Sequence, residues 1–193
     1  MPVVEGREYR SFKLSSMPEE GYRVEGYATT FGGAYELGDG FYERIDPHAL
    51  DDADMSDVIF QYNHTGMVYA RLRNGSMALE CDPHGLRVSA DLGGSQGGRD
   101  LVEAIRNGLV DRMSWGFTIA PDGWEYDPET HTATITKVLK VYDVSAVSIP
   151  ANEGTEIHAR SYIAGVIDME RKECAQRKEM EERERILASL AIY

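Results

Sequence analysis

Apolar, aromatic and polar residues alternate with period two over residues 7–14 and 22–31, and short apolar runs recur as far as about residue 150, which predicts a mainly β protein. Residues 7–14 and 22–31 read as two strands joined by a turn around Met17-Pro18-Glu19-Glu20-Gly21. Gly32-Gly33 and Gly38-Asp39-Gly40 punctuate a loop before the strand-like Phe41-Tyr42-Glu43-Arg44-Ile45. Asp46 then caps a short helical turn with Pro47 at its first position. Val58 to Tyr62 is short and nearly all apolar, as expected of a buried strand. Met77 to Glu80 and Leu86 to Leu92 form a predicted hairpin around Asp82-Pro83-His84-Gly85. Gly93 to Gly98 is too glycine-rich for a regular element. Residues 99–107 follow as a helix, with Leu101, Ile105 and Leu109 at helical spacing and Gly108 at its stop. Met113 to Ile119, Ala133 to Val141 and Val144 to Ile149 complete the predicted strands.

The pattern changes after about residue 160. From Asp168 to Arg185, 13 of 18 residues are charged, with both signs mixed. Opposite charges at neighbouring helical positions support a long exposed helix there. Its apolar residues, Ile167, Met169, Met180, Ile186, Leu187 and Leu190, are too sparse for a coiled coil. The expected organisation is therefore a domain over 1–160 and a charged helical tail over 161–193.

Composition narrows the function classes. The chain has 193 residues and 42% hydrophobic content, enough for one domain with a core plus an appendage. A net charge of −13 argues against non-specific nucleic-acid binding, which needs a basic footprint. Cys81 and Cys174 fit no metal or redox spacing and read as reduced thiols, as in a cytoplasmic compartment. Met1 to Arg10 has no apolar core, so a signal peptide is not expected. No apolar run approaches the roughly 20 residues of a membrane helix.

Three segments carry candidate chemistry. His64 closes the run Val58-Ile59-Phe60-Gln61-Tyr62-Asn63 and precedes Thr65-Gly66. Ser114 lies between Met113 and Trp115, before Gly116-Phe117. Asp143 interrupts an apolar strand, where a carboxylate is costly without a partner. A serine hydroxyl needs a base in hydrogen-bond reach, and that base needs a third group to fix its tautomer. Histidine suits the middle role because its unperturbed pKa lies near 6.5. Pattern alone leaves the ordinary readings open: a loop histidine, a strand serine and a surface carboxylate. Gly93 to Gly98 lacks the lysine and the order of a phosphate-binding loop. Asp51, Asp52, Asp54 and Asp57 lack calcium-loop spacing and read as a solvated turn. Trp115 and Trp124 read as core.

At these residues the chain resembles the prohead proteases of tailed bacteriophages, the capsid-maturation serine peptidases. Six segments carry the resemblance, in the family's order. They are Val24 to Gly32, Glu43 to Leu50, the strand ending at His64, His84 to Val88, the Met113-Ser114-Trp115-Gly116-Phe117 box, and Val144 to Asn152. The resemblance implies an assemblin-like distorted β-barrel with flanking helices and a helical tail. It implies a serine endopeptidase that cleaves scaffold or capsid-protein extensions during prohead maturation, with self-cleavage left open. His64 would be the base, Ser114 the nucleophile and Asp143 the third member. In herpesvirus assemblin the third member is a second histidine, so the position is carried over and not the residue type; His131, on the preceding strand, is its rival. No cofactor and no metal are implied. The implied partner is the major capsid protein or its scaffold extension, acted on by a homo-oligomer inside the assembling prohead in the host cytoplasm, with no nucleic-acid or membrane partner. A non-enzymatic capsid-assembly or scaffolding protein, or another serine hydrolase, is the alternative. The Gly-x-Ser-x-Gly motif of esterases is absent.

Overall fold

The computed structural model describes the backbone of residues 8–13, then residues 21–38 and 40–148, and within the tail 169, 172, 175–183 and 185. The expected turn at Met17 to Glu20, the run Ile149-Pro150-Ala151-Asn152, the junction Ala159-Arg160-Ser161 and Cys174 lie outside the described residues. The chain divides into two compact units, Met1–Ala159 and Arg160–Tyr193. In the second, the described residues are helical and exposed.

The first unit is mainly β, as expected. Its strands are β1 (Glu8–Lys13), β2 (Arg23–Thr30), β3 (Tyr35–Gly38), β4 (Phe41–Ile45), β5 (Ile59–Tyr62), β6 (Thr65–Arg71), β7 (Met77–Cys81), β8 (Gly85–Asp91), β9 (Arg112–Ile119), β10 (Trp124–Asp127), β11 (Thr132–Ile135) and β12 (Val138–Val147), with α1 (Gln96–Arg106) between β8 and β9. They pair in three sheets: β1-β9-β12-β5-β6, β10-β11-β4-β3 and β2-β8-β7. The strands do not close into one barrel among the described residues.

The five-stranded sheet positions the candidate chemistry. β12 pairs antiparallel with β9 on one side and parallel with β5 on the other. Every residue from Met113 to Phe117 on β9 and from Asp143 to Val147 on β12 is buried. Both strands are thus covered on both faces, which is why they read as near-continuous apolar runs and not as alternation. Trp115 and Phe117 share a face of β9, and their rings stack 3.9 Å apart.

The hairpin β7–β8, the strands β2, β4 and β9 and the stop at Gly108 agree with the pattern. Gly108 has φ 70°, and its N–H and that of Leu109 donate to Ile105 and Ala104 carbonyls, a Schellman ending. Other elements differ. Ala133 to Val141 is two strands, and β12 runs unbroken through Asp143. β3, β6 and β10 were not expected. The acidic turn is tied down: Asp54 pairs with Lys140 at 2.6 Å, Asp57 with Arg71 and Asp51 with His48 at 3.0 Å. The Lys140 ammonium, with the Ser56 N–H, holds the Asp54 carboxyl well below the usual carboxylate range.

The glycine-rich spacer turns out to open α1. Ser95 is the N-cap, and its Oγ accepts from the Gly98 N–H at 3.1 Å. Leu101, Val102 and Ile105 form the buried stripe. Gly98 is required by contact and not by dihedral angle: a Cβ there would lie 2.1 Å from the Leu92 carbonyl oxygen. Alanine normally favours a helix over glycine by up to about 1 kcal/mol. Gly98→Ala is expected to do the reverse and to lower stability by ~1–3 kcal/mol, since the start of α1 must move off the Leu92 carbonyl. Urea denaturation of the purified variant measures the sign.

Candidate active site

β5 and β6 form a hairpin whose last pair is Tyr62 with Thr65, leaving Asn63-His64 as a two-residue loop. Both loop residues have left-handed backbones, with φ 51° and 54°, as a type I′ turn demands. Asparagine tolerates that conformation, but the second position favours glycine. A histidine held there stores strain of ~1–3 kcal/mol, which persists only where the surroundings over-determine it. Here β12 and the residue after it do so. The Asn63 N–H donates to the Ala146 carbonyl at 2.9 Å, and the Ser148 N–H donates to Asn63 Oδ1 at 3.2 Å. The His64 N–H donates to Ser145 Oγ at 3.2 Å.

The turn delivers the imidazole onto the central strands. His64 Nδ1 meets Asp143 Oδ1 in a short contact, and His64 Nε2 lies 2.7 Å from Ser114 Oγ. The His64 and Asp143 side chains are 1% and 4% exposed, and Ser114 is fully buried. The polarity of this chain of contacts follows from its chemistry. A carboxylate only accepts, so Nδ1 carries the proton it donates to Asp143. In neutral imidazole Nε2 then presents a lone pair to the Ser114 hydroxyl. This arrangement can draw a proton from a serine and stabilise the resulting imidazolium with a buried charge.

Strand register explains how residues far apart in sequence meet. Ser145 on β12 faces Ser114 on β9 across the antiparallel pair, and Asp143 faces Gly116. On the other side of β12, Asp143 pairs with Ile59 and Ala146 with Tyr62, which brings the end of β5 alongside Ser145. The three expected residues are therefore together. His131 is elsewhere: it precedes β11 in the four-stranded sheet, with its ring 5.0 Å from that of Phe41 and its Nδ1 3.1 Å from the Tyr126 hydroxyl.

The pattern missed one polar group. Ser145 is fully buried, and its Oγ donates to Asp143 Oδ1 at 3.0 Å. The available signal was its spacing of two from Asp143 within an apolar strand, which puts both on one face. The short connection Asn63-His64 also hid a hairpin, because it lacks the glycine that advertises one. Among the described residues, no group of three or more His, Cys, Asp or Glu side chains could hold a metal ion. None of the helices described is long and apolar enough to cross a membrane.

Comparison with known proteins gives the family. The prohead protease of Enterobacteria phage HK97 is 31% identical to the chain over 144 residues, which is 74% of this chain and 61% of that protein. The chain thus aligns with about three fifths of that relative's length. No solved structure matches significantly. Residues 10–166 match the family described as caudovirus prohead serine protease, and the chain belongs to that family.

Proposed function

We propose that the chain is a serine endopeptidase that cleaves scaffold or capsid-protein extensions during phage prohead maturation, working inside the assembling prohead. The single observation that carries this reading is the contact chain Asp143–His64–Ser114 at the buried centre of the five-stranded sheet. Ser114 Oγ attacks the scissile carbonyl as His64 Nε2 takes its proton. Asp143 holds the imidazole in the required tautomer and stabilises its charged form. His64 returns the proton to the leaving amine, which frees the first product and leaves an acyl-Ser114 ester. Water, deprotonated by His64, then attacks that ester and releases Ser114. Three side chains and one water suffice for the sequence, so it calls for no cofactor. Family membership and the HK97 relative's name support the capsid-related substrate class.

The test is co-expression with the neighbouring capsid gene product, read as a shortened capsid band and mapped by N-terminal sequencing of the products. Ser114→Ala and His64→Ala are each expected to abolish cleavage, by on the order of 10⁶-fold in a purified assay, while the fold is retained. The double variant should be no worse than either single, because the residues act as one unit. Cleavage retained by Ser114→Ala excludes it as nucleophile.

Asp143→Asn is expected to cut turnover by on the order of 10²–10⁴-fold without removing it, since asparagine cannot impose the same tautomer. His131→Ala should leave kcat near wild type. The opposite ranking would make His131 the third member.

The charged tail is proposed as a module separable from catalysis. Residues 161–193 include none of the three side chains, and their described part is an exposed helix. A chain ending at Ser161 should still cleave the capsid-derived peptide in solution but enter proheads poorly. Loss of both cleavage and folding on truncation would instead make the tail part of the core.

A further inference from the structure

We propose that Ser145 is a positioning residue for the catalytic constellation, a fourth member that fixes the imidazole and the carboxylate to each other. This inference rests on the serine endopeptidase reading above. Its basis is that one hydroxyl joins both partners of the His64–Asp143 contact. Ser145 Oγ donates to Asp143 Oδ1 at 3.0 Å and accepts from the His64 N–H at 3.2 Å. The oxygen it holds, Oδ1, is the one that faces His64 Nδ1. With its proton given to Asp143 and a lone pair given to His64, the hydroxyl rotor is fixed.

Each bond answers a specific looseness. The terminal torsion of an aspartate is soft and roughly two-fold, so a single partner does not decide which oxygen points at the imidazole. A second donor on Oδ1 does. The left-handed backbone of His64 is strained, and Ser145 Oγ gives its buried N–H an acceptor. Ser145 lies directly opposite Ser114 in the strand register, so both bonds are referenced to the strand that carries the nucleophile. Ser145 is fully buried. Misplacement of a reacting group by about 1 Å costs around 10²-fold in rate, which sets the scale of the effect.

The experiment compares Ser145→Ala, Ser145→Cys and Ser145→Thr on a fluorogenic peptide spanning the mapped capsid cleavage junction, with melting temperature recorded alongside. Ser145→Ala should lower kcat ~10–100-fold with KM nearly unchanged. Ser145→Cys keeps the volume but offers a weak donor and a weak acceptor, so it should fall similarly. It also serves where Ser145→Ala fails to fold. Ser145→Thr restores the hydroxyl and should recover most of kcat. In an Asp143→Asn background, Ser145→Ala should add little further loss, because the link it aligns is already broken. The far-downfield resonance of the His64 Nδ1 proton should be present in the wild type and weakened in Ser145→Ala. A folded Ser145→Ala or Ser145→Cys enzyme with wild-type kcat overturns the proposal, as does a fully additive effect in the Asp143→Asn background. Ser114→Ala separates the two readings: if it still cleaves, the endopeptidase assignment fails, and if it is dead while folded Ser145→Ala has full kcat, only this inference fails.

Discussion

A carboxylate placed at the middle of a sheet that is covered on both faces constrains everything around it. Asp143 is 3% exposed and sits between β9 and β5. Ionised and alone there, it would be too costly for the fold to tolerate. Its stabilisation comes from two donors, His64 Nδ1 and Ser145 Oγ, and each of these is itself anchored. His64 in turn engages Ser114, which is fully buried. The polar groups of the site are thus also the means by which two apolar strands carry polar residues. In such a network the partners are interdependent, because losing one leaves another buried and unsatisfied.

That interdependence explains how a strained turn survives. An Asn-Gly loop would close the β5–β6 hairpin with less cost. The chain keeps histidine at the second position and holds the turn through Asn63, Ala146, Ser148 and Ser145. Strain located in one residue and opposed by neighbours on another strand is how a rigid, preorganised imidazole arises.

The sequence made the mainly β character, the buried strands and the helix stop at Gly108 legible, because these rest on local periodicity and turn chemistry. His64, Ser114 and Asp143 were recognisable as residues out of place in apolar runs, and the six ordered segments carried them further than any one pattern. What stayed hidden depends on tertiary contact. Gly97 and Gly98 look like a loop, yet α1 needs the missing side chain at Gly98 to pass the Leu92 carbonyl. Asp143 looks like a break between strands, yet it lies inside β12 because its charge is answered from β5's turn. The barrel expected from resemblance resolves into three sheets, since pairing partners far apart in sequence leave no trace in local pattern.

The strand order has a consequence for when this protein can act. β9 and β5 do not touch as neighbours; β12 lies between them and is the last strand of the sheet to leave the ribosome. His64 and Ser114 precede it in the chain, and β12 is the strand that pairs with both β5 and the serine strand β9. A nascent or truncated chain therefore holds a histidine and a serine without the scaffold that makes them reactive. On the serine endopeptidase reading proposed above, the three side chains meet only when β12 closes the sheet, so the activity belongs to the finished fold and not to its parts.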